Sequence, residues 1–132
     1  MNRKEQIFST LEKMGYSPEY DDDGDIMLLY QMKNIYFMLD DENDTFVSVL
    51  LPQFYELEEG QEAVVLAVCN KMVRNMKVAK VYIDHTFENV SATFEFYYTT
   101  ERSLQKNIRE ALKVLAVIRS KFRFHLDDMS EN

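Results

Sequence analysis

The sequence predicts a single α+β domain in which a five-stranded antiparallel sheet packs against three helices, in the order α-βββ-α-ββ-α. Segments with strand periodicity are joined by connections too short for a crossover, so consecutive strands should run antiparallel. Helical patterns stand at the beginning, the middle and the end of the chain. A chain of 132 residues with 46% hydrophobic content is large enough for one core, which we expect over residues 1–125, followed by a frayed tail over residues 126–132.

The first half of the chain predicts one helix and a three-stranded meander. Apolar residues recur at helical spacing over about residues 2–14, and Gly15 followed by Pro18 supplies the stop. Three strand-like segments follow, at residues 26–32, 34–39 and 45–51. A short turn and the polar loop DDEND separate them, and such short connections make the three strands neighbours in the sheet.

A central helix is predicted near residues 58–77, and its apolar residues extend over more than one side. Small side chains form its second apolar face: Ala63, Val64, Ala67 and Val68. A helix that is apolar on two sides is usually buried on two sides. We expect a homodimer through this second face, because a monomer would leave an apolar patch exposed. The alternative is that the last helix, or residues 122–124, of the same chain covers it.

Two further strands, at residues 79–84 and 90–99, precede a long helix over about residues 101–122 with Thr100 as its cap. Four basic residues form one stripe on that helix, opposite its apolar side: Arg102, Lys106, Arg109 and Lys113. A solvated polar face is the ordinary interpretation of such a stripe. Its functional interpretation is a docking surface for an acidic partner, which includes the acidic first half of another subunit.

The stretch EYDDDGDIMLLY, residues 19–30, resembles a calcium loop in its first half. Acids stand at positions 1, 3 and 5, and Gly24 stands at position 6. Position 12, where a calcium loop needs a bidentate carboxylate, is Tyr30, and the residues from Ile26 onward are typical of a strand. We therefore interpret residues 22–25 as a turn that launches the first strand, with Gly24 at a positive φ.

No pattern in the sequence indicates an enzyme. His85 and His125 belong to no metal-ligand spacing, and the three glycines form no phosphate-binding loop. Asp84 and His85 are adjacent at a strand end, where neighbouring side chains point to opposite faces, so they do not read as a base and its orienting acid. The sequence therefore predicts a non-enzymatic protein without catalytic, cofactor-binding or metal-binding residues.

Composition and charge limit the partners. The net charge is −8, with 15 acidic and 4 basic side chains in residues 1–62, which disfavours nucleic acid because phosphate binding requires a surplus of Lys and Arg. The first residues lack the apolar core of a signal peptide, and no stretch is long enough to span a membrane. Cys69 stands alone in an apolar run, as expected for a buried thiol in a reducing compartment. We expect a soluble cytoplasmic protein that binds neither nucleic acid nor membrane.

The sheet face that the helices leave uncovered is a second candidate surface. If the strand registers align, six Met, Leu and Tyr side chains share it: Met27, Leu29, Tyr36, Met38, Tyr82 and Tyr97. A surface rich in Met and Tyr suits adaptable binding. The alternative is that all six side chains belong to the core.

Three segments, together with the order of elements, carry a resemblance to a known family. GYSPEYDDDGDIMLLYQ (15–31), VCNKMVRN (68–75) and KVAKVYID (77–84) resemble the YbjN-like bacterial family, whose fold is like that of type III secretion chaperones. The likeness extends from about residue 5 to residue 122. It implies a homodimer-forming, non-enzymatic protein with regulatory or protein-binding roles and no agreed catalytic residues.

Together these observations favour a protein-binding or chaperone-like regulatory module whose partner the sequence does not name. The interpretation rests on the missing catalytic motifs, the acidic balance and the surplus of apolar surface. The alternative is a small-ligand-binding or enzymatic domain without a recognisable motif. A deep pocket lined by convergent polar groups would favour that alternative.

Overall fold

A computed structural model describes residues 2–130 and contains three helices and six strands. In chain order they are α1 (Arg3–Lys13), β1 (Glu19–Tyr20), β2 (Ile26–Tyr30), β3 (Lys33–Asp40), β4 (Asn43–Glu56), α2 (Glu62–Asn75), β5 (Ala79–Ile83), β6 (Asn89–Tyr97) and α3 (Glu101–Ser130). The strands form one sheet in the order β1-β2-β3-β4-β6-β5, and every neighbouring pair is antiparallel. The predicted α+β class and antiparallel pairing are confirmed.

The predicted number of five strands is wrong, because the sheet has a sixth strand at its edge. This strand, β1, has only two residues, which pair as Glu19 with Met27 and Tyr20 with Ile26 of β2. The acidic turn that we expected to launch the first strand instead closes a hairpin between β1 and β2. Two residues are too few to show an alternating pattern, so this strand cannot be predicted from hydrophobic periodicity.

The core lies between the three helices and one face of the sheet. One row of buried side chains crosses five strands as successive cross-strand partners: Ile26, Phe37, Val49, Phe94 and Ala79. Buried residues of the helices, such as Leu11, Val68 and Leu112, complete the same cluster. The helices therefore cover a single face of the sheet and leave the other face free of them.

The first helix is fixed at both of its ends. The Asn2 side chain accepts a hydrogen bond from the backbone N–H of Glu5 at 2.8 Å, as an N-cap does. Phe8 stacks on Tyr20 with ring centroids 4.6 Å apart, and this contact holds β1 against α1. At the other end, Lys13 forms an ion pair with Glu101 at the start of α3.

The last helix is longer than the sequence predicted. Thr100 accepts a hydrogen bond from the backbone N–H of Ser103 at 3.0 Å, which agrees with the predicted cap. The helix then runs to Ser130 rather than ending near residue 122, and Leu126 is buried in the core. The expected frayed tail over 126–132 is thus helical as far as Ser130, and residues 131–132 lie outside the described part of the chain.

The central helix is buried on one side within the chain, where two buried sides were expected. Its inner side, which includes Val65, Cys69 and Met72, packs towards α3 and β5. Its outer side carries Leu66 with 51% and Val73 with 43% of its surface exposed. The single chain therefore leaves an apolar strip along α2 exposed.

Candidate protein-binding surfaces

The uncovered face of the sheet is the most extensive candidate surface, which we call the open face. The registers bring Met27 of β2, Tyr36 of β3 and Leu50 of β4 into one row as direct cross-strand partners. All six side chains predicted to share this face do so: Met27, Leu29, Tyr36, Met38, Tyr82 and Tyr97. The conditional prediction of register alignment is therefore confirmed.

Two further apolar members of the open face were missed from the sequence. Phe46 is the cross-strand partner of Tyr97, with ring centroids 5.3 Å apart, and Leu50 lies beside Tyr36. Both alternate with Val47 and Val49, which point to the core. In a strand, every second side chain points to the same face, so Phe46 and Leu50 share one face and Val47 and Val49 share the other. Because TFVSVLL has apolar residues at successive positions, the sequence does not show which of the two sets faces outward.

The open face carries both apolar and polar side chains, with Ser48, Thr93 and Glu95 among the polar ones. Leu29 is 68% and Tyr97 is 64% exposed, whereas Met27 and Tyr36 are half-buried by their neighbours. Lys80 and Glu95 form an ion pair across β5 and β6. Burial, and then the Glu95 carboxylate, raise the pKa of Tyr82, so this phenol stays neutral over the physiological pH range.

The size of the open face fits a protein partner. Strands in a sheet are spaced about 4.8 Å apart, so six strands give a surface about 24 Å wide. A typical protein partner buries about 800 Å² on each side of an interface, which is a square about 28 Å on edge. The open face therefore approaches the footprint of one side of an ordinary interface.

The four cations of the predicted stripe on α3 are all exposed, and the helix places them on its outward side: Arg102, Lys106, Arg109 and Lys113. Within residues 2–130, the ion pairs are those of Lys13 with Glu101 and of Lys80 with Glu95. The stripe therefore has no carboxylate partner inside the described part of the chain, and its positive charge faces solvent.

The four residues predicted for a dimer contact divide between the interior and the surface. Val68 is fully buried and Val64 is half-buried, while Ala63 and Ala67 are exposed. Leu66 and Val73 extend the exposed part along α2. The surface available to a second copy is therefore the strip Ala63, Leu66, Ala67 and Val73, which we call the α2 strip.

The acidic stretch that resembled a calcium loop forms a tight turn, as predicted. The Asp21 carboxylate accepts hydrogen bonds from the backbone N–H groups of Asp23 and Asp25, at 2.9 and 2.8 Å, and Gly24 has a φ of +81°. Lys4 donates to the Gly24 carbonyl at 2.7 Å. The carboxylates of Asp21, Asp23 and Asp25 lie within 4.8 Å of one another, and the bonds from the Asp23 and Asp25 backbone to the Asp21 carboxylate bring these three residues together in the turn.

The pair Asp84 and His85 is also explained by local structure. The Asp84 carboxylate accepts hydrogen bonds from Thr86 and from the Gln53 side chain, and the Thr86 contact is the main reason that its pKa lies below the ordinary value. His85 is exposed and takes no part in these bonds. The arrangement is that of an Asp-stabilised turn between β5 and β6.

The grooves of the molecule are shallow regions between elements. The most apolar of them, with a volume of about 380 Å³, lies between the end of α2 and the last turns of α3 and is lined by Met72, Met76, Phe124 and His125 among others. The Nδ1 atom of His125 is buried and has no hydrogen-bond partner within the part of the chain that the structure describes. No helix of residues 2–130 is long and apolar enough to cross a membrane.

The geometry is that of an α+β domain with helices on one sheet face and an uncovered apolar second face. No protein-family model and no curated protein matches the sequence. Among solved structures, the fold is similar to that of YbjN from E. coli, described as a candidate transcription regulator, with a TM-score of 0.71 and 11% identity over 92% of this chain and 91% of YbjN. An uncharacterized protein from Methanothermobacter thermautotrophicus aligns with a TM-score of 0.49 and 17% identity, over 91% of this chain and 99% of that one.

The comparison with YbjN establishes a YbjN-like fold and thereby confirms the coarser part of the resemblance. At 11% identity it concerns the fold alone. The TM-score of the second protein is too low to carry an argument. The likeness to type III secretion chaperones stays a prediction.

Proposed function

We propose that this protein is a non-enzymatic, protein-binding module of chaperone-like or regulatory type, and that its open face receives the partner. The observation that carries this proposal is the set of apolar side chains on the open face, of which Leu29 and Tyr97, near opposite ends of that face, are about two-thirds exposed. An apolar surface of this extent costs free energy in water, and a bound partner removes that cost. Met27 and Met38 give the surface flexible side chains that adapt to the shape of a partner.

A paired capture experiment tests the proposal. The wild-type protein and the double variant Leu29→Ser with Tyr97→Ser serve as baits in native cell lysate, and bound proteins are identified by mass spectrometry. The matched control is Met32→Ser with Phe87→Ser, because both of these side chains are also exposed and apolar but lie in turns outside the open face.

We expect a reproducible protein partner on the wild type and on the control, and its loss from the open-face variant. A partner retained equally by all three baits contradicts the proposed surface. A metabolite that co-purifies with an otherwise empty bait favours the alternative of a small-ligand-binding or enzymatic domain.

We also propose that two copies associate through the α2 strip as a two-fold dimer. The support is the apolar exposure of Leu66 and Val73 beside the small residue Ala67, which lets two helices approach closely. In a two-fold contact each substitution occurs twice, so Ala67→Asp buries two like charges and should cost several kcal/mol of association.

Light scattering at micromolar concentration measures the dimer directly. We expect twice the chain mass of 15.7 kDa for the wild type and for the control Ser17→Asp, and the mass of one chain for a folded Ala67→Asp variant. A wild-type mass near 15.7 kDa contradicts the dimer, above all if Val64→Asp unfolds the protein, since Val64 is half-buried within the chain.

We further propose that the module works in the cytoplasm. The single cysteine, Cys69, is buried and unpaired, which suits a reducing compartment. Fractionation of native cells with an antibody against the protein tests this, and recovery in a membrane or extracellular fraction contradicts it.

A further inference from the structure

The outward side of α3 carries two kinds of side chain along one line. Its first half holds the cation stripe from Arg102 to Lys113, which extends about 17 Å along the helix axis. Continuing at the same helical spacing, the line reaches Val117 and then Phe124, both exposed apolar residues. A partner that follows this helix therefore meets positive charge first and apolar surface second.

The positive charge of the cation stripe is not balanced by neighbouring acids. Residues 102–126 contain seven basic side chains and one acid, Glu110, in a chain whose net charge is −8. Glu110 forms none of the ion pairs in residues 2–130. A stripe of exposed cations on an otherwise acidic protein produces a local positive potential that attracts an anionic group.

Phe124 connects the outward line to the groove between α2 and α3. Its ring is 68% exposed and is also part of the groove wall with Met72 and Met76. The groove volume of about 380 Å³ exceeds that of a large apolar side chain. Lys121 and His125 also line the groove, and the buried Nδ1 atom of His125 has no hydrogen-bond partner within residues 2–130.

We propose that an acidic segment of a partner protein binds along α3, with its carboxylates on the cation stripe and an apolar side chain of the same segment in the groove beside Phe124. Charge complementarity selects the acidic part and the Met and Phe walls select the apolar part. A polyanion such as DNA fits less well, because the second half of the line offers it apolar side chains and the whole molecule repels it.

A second copy of this chain is a poorer occupant than an acidic segment of another protein. The acids of its first half lie mostly in three short segments, at residues 19–25, 40–44 and 56–62, and each segment contains a tight turn. Such compact turns do not extend over the length of the stripe. The proposed site on α3 is also separate from the open face, so a test of this site does not depend on whether the open face binds a partner.

Fluorescence anisotropy with defined probes tests the inference. The probe is a labelled peptide of 18 residues with glutamates in its first half and Leu and Phe in its second half. The comparison probes are the same peptide with glutamine in place of glutamate, and an 18-base-pair DNA duplex.

The protein variants are Lys106→Glu with Arg109→Glu for the stripe and Phe124→Ser for the groove. The matched control is Lys71→Glu with Lys77→Glu, which changes the net charge by the same amount on α2 and just after its end. Circular dichroism verifies that each variant is folded.

We expect the acidic peptide to bind the wild type at 50 mM salt and to bind the stripe variant about tenfold more weakly. Phe124→Ser should weaken binding about fivefold without changing the salt dependence, because it removes an apolar contact rather than a charge. The α2 control and the open-face variant should bind as the wild type does.

Three outcomes overturn the proposal. The first is absence of salt-dependent binding, or equal weakening by the stripe and control variants, which would show a response to net charge alone. The second is tighter binding of the DNA duplex than of the acidic peptide. The third is a lower mass, measured by light scattering, for the stripe variant Lys106→Glu with Arg109→Glu than for the wild type. That result would identify a second copy of the chain as the occupant.

Discussion

Cys69 illustrates how burial alone sets the chemistry of one residue. It lies on the inner side of α2, and burial raises the pKa of its thiol to about 11. The thiolate is the nucleophilic form, so the folded protein should resist alkylation at pH 8. We predict no iodoacetamide labelling of the native protein and rapid labelling in guanidinium, measured by mass spectrometry. Native labelling at the rate of a free thiol would contradict this.

The raised pKa of Cys69 also predicts how stability depends on pH. In the unfolded chain the thiol ionises near its ordinary value of 9.0, whereas in the folded chain it stays protonated up to about 11. The contribution of Cys69 is therefore complete below pH 9 and is lost as the pH rises towards 11. Urea unfolding at pH 8 and pH 10.5 should show a smaller loss of stability for Cys69→Ala than for the wild type. Equal losses would show that Cys69 does not titrate differently in the two states.

Thr93 is a polar residue of the open face that its neighbours bury. Its Oγ1 atom has no hydrogen-bond partner in the described part of the chain. Its cross-strand partners are Leu50 of β4 and Lys80 of β5. A buried hydroxyl without a partner costs about 1–3 kcal/mol, so Thr93→Val should stabilise the fold by about 1 kcal/mol. Urea unfolding measures the change. Ser91→Ala is the control and should destabilise, because the Ser91 hydroxyl accepts a hydrogen bond from the backbone N–H of Gln53.

At the scale of elements, the hairpin between β2 and β3 has a turn made from unfavourable residues. Tyr30 pairs with Lys33, so Gln31 and Met32 form a two-residue turn in which both have a positive φ, at 49° and 67°. Asn-Gly is the favoured sequence for such turns, because these residues adopt a positive φ at low cost. Replacing Gln31-Met32 by Asn-Gly should stabilise the protein by about 1 kcal/mol. Met32→Val should do the opposite, and thermal unfolding distinguishes the two.

The last turns of α3 belong to the core, which predicts that they are needed for stability. Leu126 is buried and Met129 is half-buried against the same cluster. Removing residues 126–132 should lower the free energy of unfolding by about 2–4 kcal/mol, because a buried Leu and a partly buried Met are lost. Asp127→Ala, on the exposed side, should have little effect in the same urea titration. A truncated chain as stable as the wild type would restore the expectation of a frayed tail.

At the scale of the molecule, the features that the sequence predicts correctly are those that follow from the repeated spacing of apolar residues in strands and helices. Alternation in strands such as VSATFEFYYT places Phe94 and Phe96 in the core, and the structure agrees. The short connections determine antiparallel neighbours, and from these the shared open face of Met27, Tyr36 and Tyr97 follows. The outward position of the cation stripe on α3 follows in the same way from helical spacing.

What the sequence does not predict depends on contacts between distant residues. The strand β1 pairs with β2 and is in contact with α1 through the stack of Tyr20 on Phe8, and no local pattern in two residues predicts such contacts. Val68 is interior and Ala67 exterior because α2 is rotated towards α3 and β5, whereas the apolar pattern of α2 allows more than one rotation.

The position of β6 between β4 and β5 has a consequence for the order in which the chain folds. The meander β1 to β4 and the hairpin β5–β6 each join residues that are close in sequence, and such local contacts form early. The seam between β4 and β6 joins distant partners such as Val49 and Phe94, so its closure loses the most chain entropy and should limit the folding rate. In stopped-flow experiments Val49→Ala should therefore slow folding, whereas Leu28→Ala in the outer meander should mainly speed unfolding. The opposite pattern would mean that the seam closes only after the rate-limiting step.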